Sequence, residues 1–205
     1  MSQYTYEFKD QNNVLEKYEW DNVWWEQANR DDLPRVLYIG DSISCGTRTV
    51  ATAAADGKLL FEGFGSSKAL DNPFLFDSVR MFAKQQKFRS AVLFNNGLHG
   101  WHLNDDEEYP YYYEQILKQL IDEFKDTPVF VVLTTSVADT QREERVKKRN
   151  EAAAKIAAKY GLPVIDLYSV SVEFSELRKA DGVHFSPEGY KKFAERIILD
   201  LKMPL

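Results

Sequence analysis

Residues 36–44 read Val36-Leu37-Tyr38-Ile39-Gly40-Asp41-Ser42-Ile43-Ser44, and this stretch decides the fold. Its four apolar residues predict a short buried strand, and Gly40 and Asp41 predict a tight turn directly after it. A helix is expected to follow from Ser42. A strand that runs into a helix in this way is typical of the first half of a βαβ unit.

The same pattern recurs along the chain, where short runs of β-branched and aromatic residues alternate with longer stretches of helical period. The expected strands lie near Val36 to Ile39, Leu59 to Phe64, Ala91 to Phe94, Val129 to Leu133 and Val164 to Asp166. The expected helices follow Ser42 and then run from Pro73 to Gln86, Tyr109 to Phe124, Glu143 to Tyr160, and onward from Pro187. This alternation predicts an α/β fold, with a five-stranded parallel sheet and helices on both of its faces.

The length of 205 residues suits a single α/β domain, so we expect one domain over residues 1–205. Residues 1–34 are polar but contain the aromatic side chains of Tyr18, Trp20, Trp24 and Trp25. We interpret them as an amino-terminal extension that packs on the domain through these aromatics and carries no chemistry of its own.

Charge and composition exclude several classes of function. The formal net charge is -6 and the basic residues are scattered, which argues against nucleic acid as a partner. The sequence contains no run of about 18 apolar residues and no basic start followed by an apolar stretch, so we expect neither a membrane span nor a targeting segment. Cys45 is the only cysteine and fits a reducing compartment. We therefore expect a cytoplasmic protein, and its oligomeric state stays open.

Ser42 is the first candidate for chemistry. The carboxyl ends of the strands in an open α/β sheet are where ligands bind, and the amino terminus of the following helix favours negative charge. A serine at this turn can be an exposed nucleophile. Serine and aspartate before a helix are also common caps, so position alone leaves both interpretations open.

His184 is the best candidate for a base among the three histidines. It lies in Asp181-Gly182-Val183-His184-Phe185, a polar turn before the last predicted helix. An aspartate three residues before a histidine can hydrogen-bond the imidazole and fix its tautomer, leaving the second nitrogen to take a serine proton. The sequence thus supplies a nucleophile, a base and an orienting carboxylate: Ser42, His184 and Asp181.

Two of these motifs resemble those of a known family. Gly40-Asp41-Ser42-Ile43-Ser44 is similar to the first block of the SGNH (GDSL-like) hydrolases, and Asp181-Gly182-Val183-His184 is similar to their last block. The resemblance spans about residues 35–201. It implies a flavodoxin-like three-layer sandwich, ester hydrolysis by Ser42 with Asp181 and His184, and no cofactor.

The resemblance also implies donors to an oxyanion, but the middle motifs depart from the usual pattern. Residues 94–102 resemble a bacterial subgroup with an Asn-x-Gly-Leu-His block, which implies Asn95 or, as the alternate, Asn96 as a side-chain donor. The amide of Ser42 and that of Ser67, the nearest match to the second block, would complete the oxyanion hole. These asparagines and Ser67 could instead serve only as strand-end and turn residues.

Three other features have competing interpretations. His99 and His102, with acidic residues after them, could suggest a metal site, but no recognised ligand frame supports one and we expect none. We predict instead that His99 and Trp101 line a substrate cleft. The charged run from Gln141 to Asn150 mixes both signs at helical spacing, which usually indicates a solvated face.

The resemblance implies a serine esterase acting on short acyl esters, acetyl groups on carbohydrate being the expected substrates. A lipid or thioester hydrolase is an alternative within the enzymes. A binding module that keeps the scaffold without turnover is an alternative from a different class.

Overall fold

The computed structural model describes residues 15, 18–86 and 88–203 of the chain. The strands are β1 (Asp21–Trp24), β2 (Arg35–Gly40), β3 (Leu60–Ser66), β4 (Ala91–Phe94), β5 (Val129–Val132) and β6 (Val164–Ile165). The α-helices are α1 (Ser42–Ala54), α2 (Leu75–Ala83), α3 (Glu108–Glu123), α4 (Thr140–Lys159), α5 (Leu167–Glu173) and α6 (Pro187–Leu201). A 3₁₀ turn spans Ser175–Leu177.

The six strands form one sheet in the order β1-β3-β2-β4-β5-β6. The five strands from β2 to β6 are parallel, as the sequence predicts. The α/β three-layer fold is therefore confirmed, and its parallel strands run outward in both directions from β2. This topology puts the turn after β2, which carries Ser42, between the turns after β3 and β4.

The predicted strand count of five is wrong, because β1 adds a sixth strand. It pairs antiparallel with β3, with Asp21 opposite Ser66 and Trp24 opposite Gly63. Every residue of β1 is exposed, so its sequence shows no alternation between buried and solvent-facing positions. The strand is held by main-chain pairing at the sheet edge, which leaves no hydrophobic pattern to detect. Helix α5 also lies outside the predicted elements.

Alternation along the parallel strands creates two separate cores. In β2, Val36 and Tyr38 face a cluster shared with α1, α5 and α6, whereas Leu37 and Ile39 face a cluster shared with α2 and α3. Successive side chains of a strand point to opposite faces, so an unbroken apolar strand buries both faces of the sheet. Among the described residues, no helix has the length and apolar character needed to cross a membrane.

Helices α1 and α6 pack closely because α1 has a glycine at their contact. A Cβ added to Gly46 would lie 2.3 Å from Cζ of the buried Tyr190 ring. The aromatic ring of α6 therefore uses the space that a side chain on α1 would occupy. This contact fixes α6, and with it the loop that precedes α6, relative to the turn that holds Ser42.

We predict that Gly46→Ala destabilises the protein by about 1–3 kcal/mol through overpacking against Tyr190. Urea unfolding of the wild type, Gly46→Ala, Tyr190→Leu and the double variant measures the interaction. The cost of Gly46→Ala should be smaller in the Tyr190→Leu background, where the ring is absent. Equal costs in both backgrounds would contradict the assignment of the strain to this ring.

Candidate active site

Ser42 lies at the carboxyl end of β2, where the chain turns into α1. Asp41 is the cap of this helix, and its Oδ1 accepts a hydrogen bond of 2.9 Å from the amide of Ile43. Burial raises the pKa of Asp41, although the charges of His99 and His184 act in the opposite direction. Because Asp41 is the capping residue, the hydroxyl of Ser42 is left for a different partner.

That partner is His184. The Nε2 atom of His184 lies 2.8 Å from Oγ of Ser42, and its Nδ1 lies 3.0 Å from Oδ2 of Asp181. A carboxylate can only accept, so the pairing assigns the proton to Nδ1 and leaves Nε2 to accept from the serine hydroxyl. The three residues that the sequence singles out thus form one line of hydrogen bonds, although Ser42 and His184 are 142 positions apart in the sequence.

The Asp181 carboxylate is held by its own loop. Its Oδ1 accepts hydrogen bonds of 2.9 Å from the amides of both Val183 and His184. Partial burial acts to raise the pKa of Asp181, but these amide donors and the imidazole outweigh it, so the pKa is lowered. The orienting group therefore stays ionised over the pH range in which a histidine loses its proton.

The loop from Lys179 to His184 is bonded to the segment between β5 and α4. The carbonyl of Gly182 accepts a hydrogen bond of 2.8 Å from the amide of Ala138, and Gly182 has a φ of +77°, a conformation that glycine adopts without strain. The amide of Lys179 closes the loop by donating to the carbonyl of His184 at 2.7 Å. His184 is consequently positioned from the β5 side of Ser42.

The structure does not support Asn95 as the side-chain donor to an oxyanion. Its Nδ2 donates to the carbonyl of Val132 at 2.9 Å and to Oγ1 of Thr134 at 3.0 Å. Both amide hydrogens are therefore used to join the end of β4 to the end of β5. This is the strand-end role that the sequence left open as the alternative.

Asn96 is less tightly engaged. Its Nδ2 makes one hydrogen bond that the structure records, a long contact of 3.4 Å to the carbonyl of Lys68. Its backbone carbonyl accepts from the hydroxyl of the buried Tyr109, which holds the residue from the α3 side. Of the two asparagines, Asn96 therefore has the side-chain amide that can turn toward a ligand.

The structure also argues against Ser67. Its amide donates to the carbonyl of Trp20 at 3.1 Å, and its hydroxyl accepts from the amide of Trp20 at 2.9 Å. The amide hydrogen expected at the oxyanion is thus already bound by the amino-terminal segment. That segment's pairing could not be predicted, because β1 has no periodic pattern.

The two candidates for the substrate cleft differ in their surroundings. His99 packs edge-on against Trp20, with the ring centroids 6.2 Å apart, and lies near enough to Asp41 to lower its pKa. Trp101 instead lies under three guanidinium groups, whose carbons are 4.4–5.4 Å from its ring: those of Arg149, Arg145 and Arg142. The structure thus places His99 beside Trp20 and near Asp41, the residue before Ser42, and uses Trp101 for internal packing.

His102 also has a structural partner. Its Nε2 lies 2.9 Å from Oδ2 of Asp71, and both side chains are largely buried. Within the described ranges, no three side chains of histidine, cysteine, aspartate or glutamate are arranged to hold a metal ion.

Arg149 organises the loop after β4. The interpretation of residues 141–150 as a solvated face holds for exposed residues such as Lys147 and Lys148 but is wrong at Arg149. Its side chain has no exposed surface. Its guanidinium donates to the carbonyls of Gly97, His99 and Gly100 at 2.7–3.0 Å and to Asp105 at 2.7 Å. These acceptors are distant in sequence, so charge patterning alone could not reveal them.

Asp105 completes this network by accepting from both Arg149 and Arg145. Burial alone would raise the pKa of Asp105, but the two guanidinium groups outweigh it and the pKa is lowered. Arg145 also donates to the carbonyls of Trp101 and Leu103 at 2.8 Å. The loop that carries Asn96 and His99 is therefore fixed by two arginines of α4 and one carboxylate.

The fold and this geometry define a class: three-layer α/β proteins with a serine, histidine and aspartate aligned at the carboxyl edge of the sheet. The chain belongs to the GDSL-like lipase/acylhydrolase family, whose model matches residues 80–192, more than half of the sequence. The matched segment includes both asparagines, Asp181 and His184, and begins after Ser42. The family resemblance is thereby confirmed, while the subgroup with the Asn-x-Gly-Leu-His block stays a prediction.

Solved structures share the fold at low identity. A lipase/acylhydrolase from Enterococcus faecalis has 21% identity and a TM-score of 0.67, covering 83% of this chain and 96% of its own. The catalytic domain of the Streptococcus pneumoniae peptidoglycan O-acetyltransferase A has 19% identity and a TM-score of 0.65, with coverage of 83% and 93%. An acetyl-xylooligosaccharide esterase variant from Geobacillus has 15% identity and a TM-score of 0.65, with coverage of 83% and 95%. No curated protein matches the sequence.

We predict that Asp105→Asn destabilises the protein by about 3 kcal/mol at pH 7, because it leaves two arginines without their carboxylate. Folding lowers the pKa of Asp105. Its contribution to the free energy of unfolding is therefore complete above the ordinary pKa of 3.8 and is lost as the pH falls below that value. Urea unfolding at several pH values should show the difference from wild type shrinking toward pH 3.

Asp106→Asn is the matched control, because the neighbouring Asp106 is exposed and pairs only with the exposed Lys148 among the contacts the structure records. Surface pairs of this kind contribute little, and its stability should stay within about 1 kcal/mol of wild type. Equal losses in the two variants would show that Asp105 is no more important than a surface charge.

Proposed function

We propose that the chain is a serine esterase that hydrolyses short acyl esters, with Ser42 as nucleophile, His184 as general base and Asp181 as the orienting carboxylate. The observation that carries this proposal is the hydrogen-bonded line from Asp181 through His184 to Oγ of Ser42, with links of 3.0 and 2.8 Å. Membership of an acylhydrolase family supports the same chemistry.

The proposed reaction has two halves. Oγ of Ser42 attacks the ester carbonyl while Nε2 of His184 takes the hydroxyl proton, and the resulting imidazolium then gives that proton to the departing alcohol oxygen. A water molecule attacks the acyl-serine in the second half, again losing its proton to His184. The proton returns to Ser42 as the carboxylic acid leaves.

For the tetrahedral oxyanion we propose two donors on this chain. The amide of Ser42 is in the first turn of α1, where amides have no carbonyl partner within the helix and the helix dipole favours negative charge. The side-chain amide of Asn96 is the second donor, because its recorded hydrogen bond is long. Both amide hydrogens of Asn95 are already used in hydrogen bonds. Fixed donors of this kind stabilise the transition state more than the ester.

As substrates we propose acetyl esters of carbohydrates. One solved structure of the same fold is named for acetyl-xylooligosaccharides, and another for O-acetyl transfer on peptidoglycan.

We predict that a fluorophosphonate labels Ser42 and that Ser42→Ala abolishes both the label and the hydrolysis of p-nitrophenyl acetate. His184→Ala should lower kcat by at least roughly 10³-fold, since no base remains for the serine proton. His102→Ala is the matched control: it removes a histidine that pairs with Asp71 and should retain activity. Mass spectrometry locates the label, and a label at any other residue would refute the proposed nucleophile.

The acyl chain length and the alcohol of the preferred substrate distinguish this function from the alternatives. Assays on p-nitrophenyl esters of two to twelve carbons and on acetylated sugars should give the highest kcat/KM for acetyl groups. Preference for long chains or thioesters would favour a lipid or thioester hydrolase. A protein that binds acetylated sugars without turnover would be a binding module.

The two asparagines give a further prediction. Asn96→Ala should lower kcat by roughly 10²–10³-fold with little change in KM, because the lost donor acts mainly in the transition state. Asn95→Ala should mainly lower the melting temperature, since its amide joins β4 to β5. Kinetics and melting curves of both variants are needed, and a larger kcat effect for a well-folded Asn95→Ala would reverse the assignment.

A further inference from the structure

The amino-terminal segment crosses the carboxyl end of β3 immediately beside the turn that holds Ser42. Two main-chain contacts clamp Trp20 there: its amide donates to Oγ of Ser67 at 2.9 Å, and its carbonyl accepts from the amide of Ser67 at 3.1 Å. The hydroxyl of Ser66, which donates to Oδ1 of Asp21 at 2.7 Å, lies 3.4 Å from the same carbonyl. These bonds involve the backbone of Trp20, so they fix the position from which its side chain extends.

The ring of Trp20 lies against the last residues of β3. A Cβ added to Gly65 would lie 2.2 Å from Sγ of Cys45, 3.3 Å from the carbonyl oxygen of Asp41 and 3.6 Å from Cζ3 of Trp20. Asp41 precedes Ser42 directly, and Cys45 follows it by three residues in α1. The indole edge is therefore next to the same turn as the candidate nucleophile.

His99 contacts Trp20 from the loop after β4, which lies on the other side of β2. Its ring meets that of Trp20 edge to face, with centroids 6.2 Å apart and an interplanar angle of 76°. The carbonyl of His99 is held by the buried guanidinium of Arg149 at 2.7 Å. The two rings thus connect the loop after β3 to the loop after β4, and both are anchored through their main chains.

The sheet order indicates which part of an ester would meet this pair of rings. His184 reaches Ser42 from a loop bonded to Ala138 after β5, on one side of β2. Trp20 lies at the end of β3, on the other side of β2. In the proposed reaction His184 must protonate the alcohol oxygen, so the alcohol lies toward His184 and the acyl chain extends toward Trp20.

We propose that Trp20, packed against His99, is the wall that closes the acyl pocket and restricts the enzyme to short acyl groups. This inference rests on the proposed esterase function and deepens it by naming the residue that sets the substrate class. Trp20 acts by excluding carbon atoms beyond the first few of the acyl chain. A hydrophobic pocket can discriminate roughly 10- to 200-fold per methylene, which sets the scale of the effect.

The test compares wild type, Trp20→Ala and Trp24→Ala on p-nitrophenyl acetate, butyrate and hexanoate. Trp20→Ala should raise the ratio of kcat/KM for hexanoate over acetate by about tenfold or more, since the wall is removed. Trp24→Ala is the matched control, because it removes a tryptophan of β1 that is 54% exposed, and its ratio should equal that of wild type. Trp20→Phe, with a smaller ring, should give an intermediate ratio.

The outcomes separate the two proposals. If wild type hydrolyses acetate through Ser42 but the ratio is unchanged in Trp20→Ala, the wall assignment is wrong and the esterase proposal stands. An equal rise in Trp24→Ala would also overturn it, by attributing the change to loosening of the amino-terminal strand. If wild type neither hydrolyses these esters nor takes a fluorophosphonate at Ser42, both proposals fail. If Trp20→Ala is unfolded at the assay temperature, Trp20→Phe is used in its place. A raised hexanoate-to-acetate ratio would support the wall assignment, and an unchanged ratio would reject it.

Discussion

A single buried guanidinium, that of Arg149, holds the loop on which the candidate active site depends. It lies between the rings of Trp101 and Tyr109, 4.4 and 4.6 Å from their centres, and donates to three carbonyls of one loop. A buried charge is tolerated only when it is paired and its donors are satisfied, and Asp105 supplies the pair. The loop from Gly97 to Gly100 is therefore folded around the guanidinium of Arg149, and removal of this side chain would cause a large loss of stability.

The consequence for chemistry is that the groups around Ser42 are positioned before any substrate arrives. Arg149 fixes the carbonyl of His99, Tyr109 fixes that of Asn96, and the loop amides fix the carboxylate of Asp181. Donors and bases that are already oriented need no reorganisation as charge develops, which is the main source of electrostatic catalysis. The geometry of the site is thus set by the backbone and by buried polar contacts.

Local features of the fold and site could be predicted from the sequence, and features that depend on distant partners could not. The strand-turn-helix around Ser42 and the spacing from Asp181 to His184 are encoded within a few residues each, and the structure places the three side chains in one line of hydrogen bonds. The sequence favoured Asn95 over Asn96 as an oxyanion donor, but the two side chains differ in the strand end or loop that each one contacts, which the sequence does not reveal. Arg149 looked like part of a solvated helix face because its acceptors lie about fifty positions away.

The amino-terminal strand illustrates how one edge pairing can change both the donors and the shape of a site. By pairing with β3, the segment binds the amide of Ser67, which removes one candidate donor to the oxyanion. The same pairing carries the indole of Trp20 to the turn beside Ser42. A site with fewer backbone donors relies more on each remaining one, so under the proposed mechanism the side chain of Asn96 carries more of the developing charge. Under the two proposals, the restriction to short acyl groups and the dependence on Asn96 both follow from one contact, that between Trp20 and Ser67.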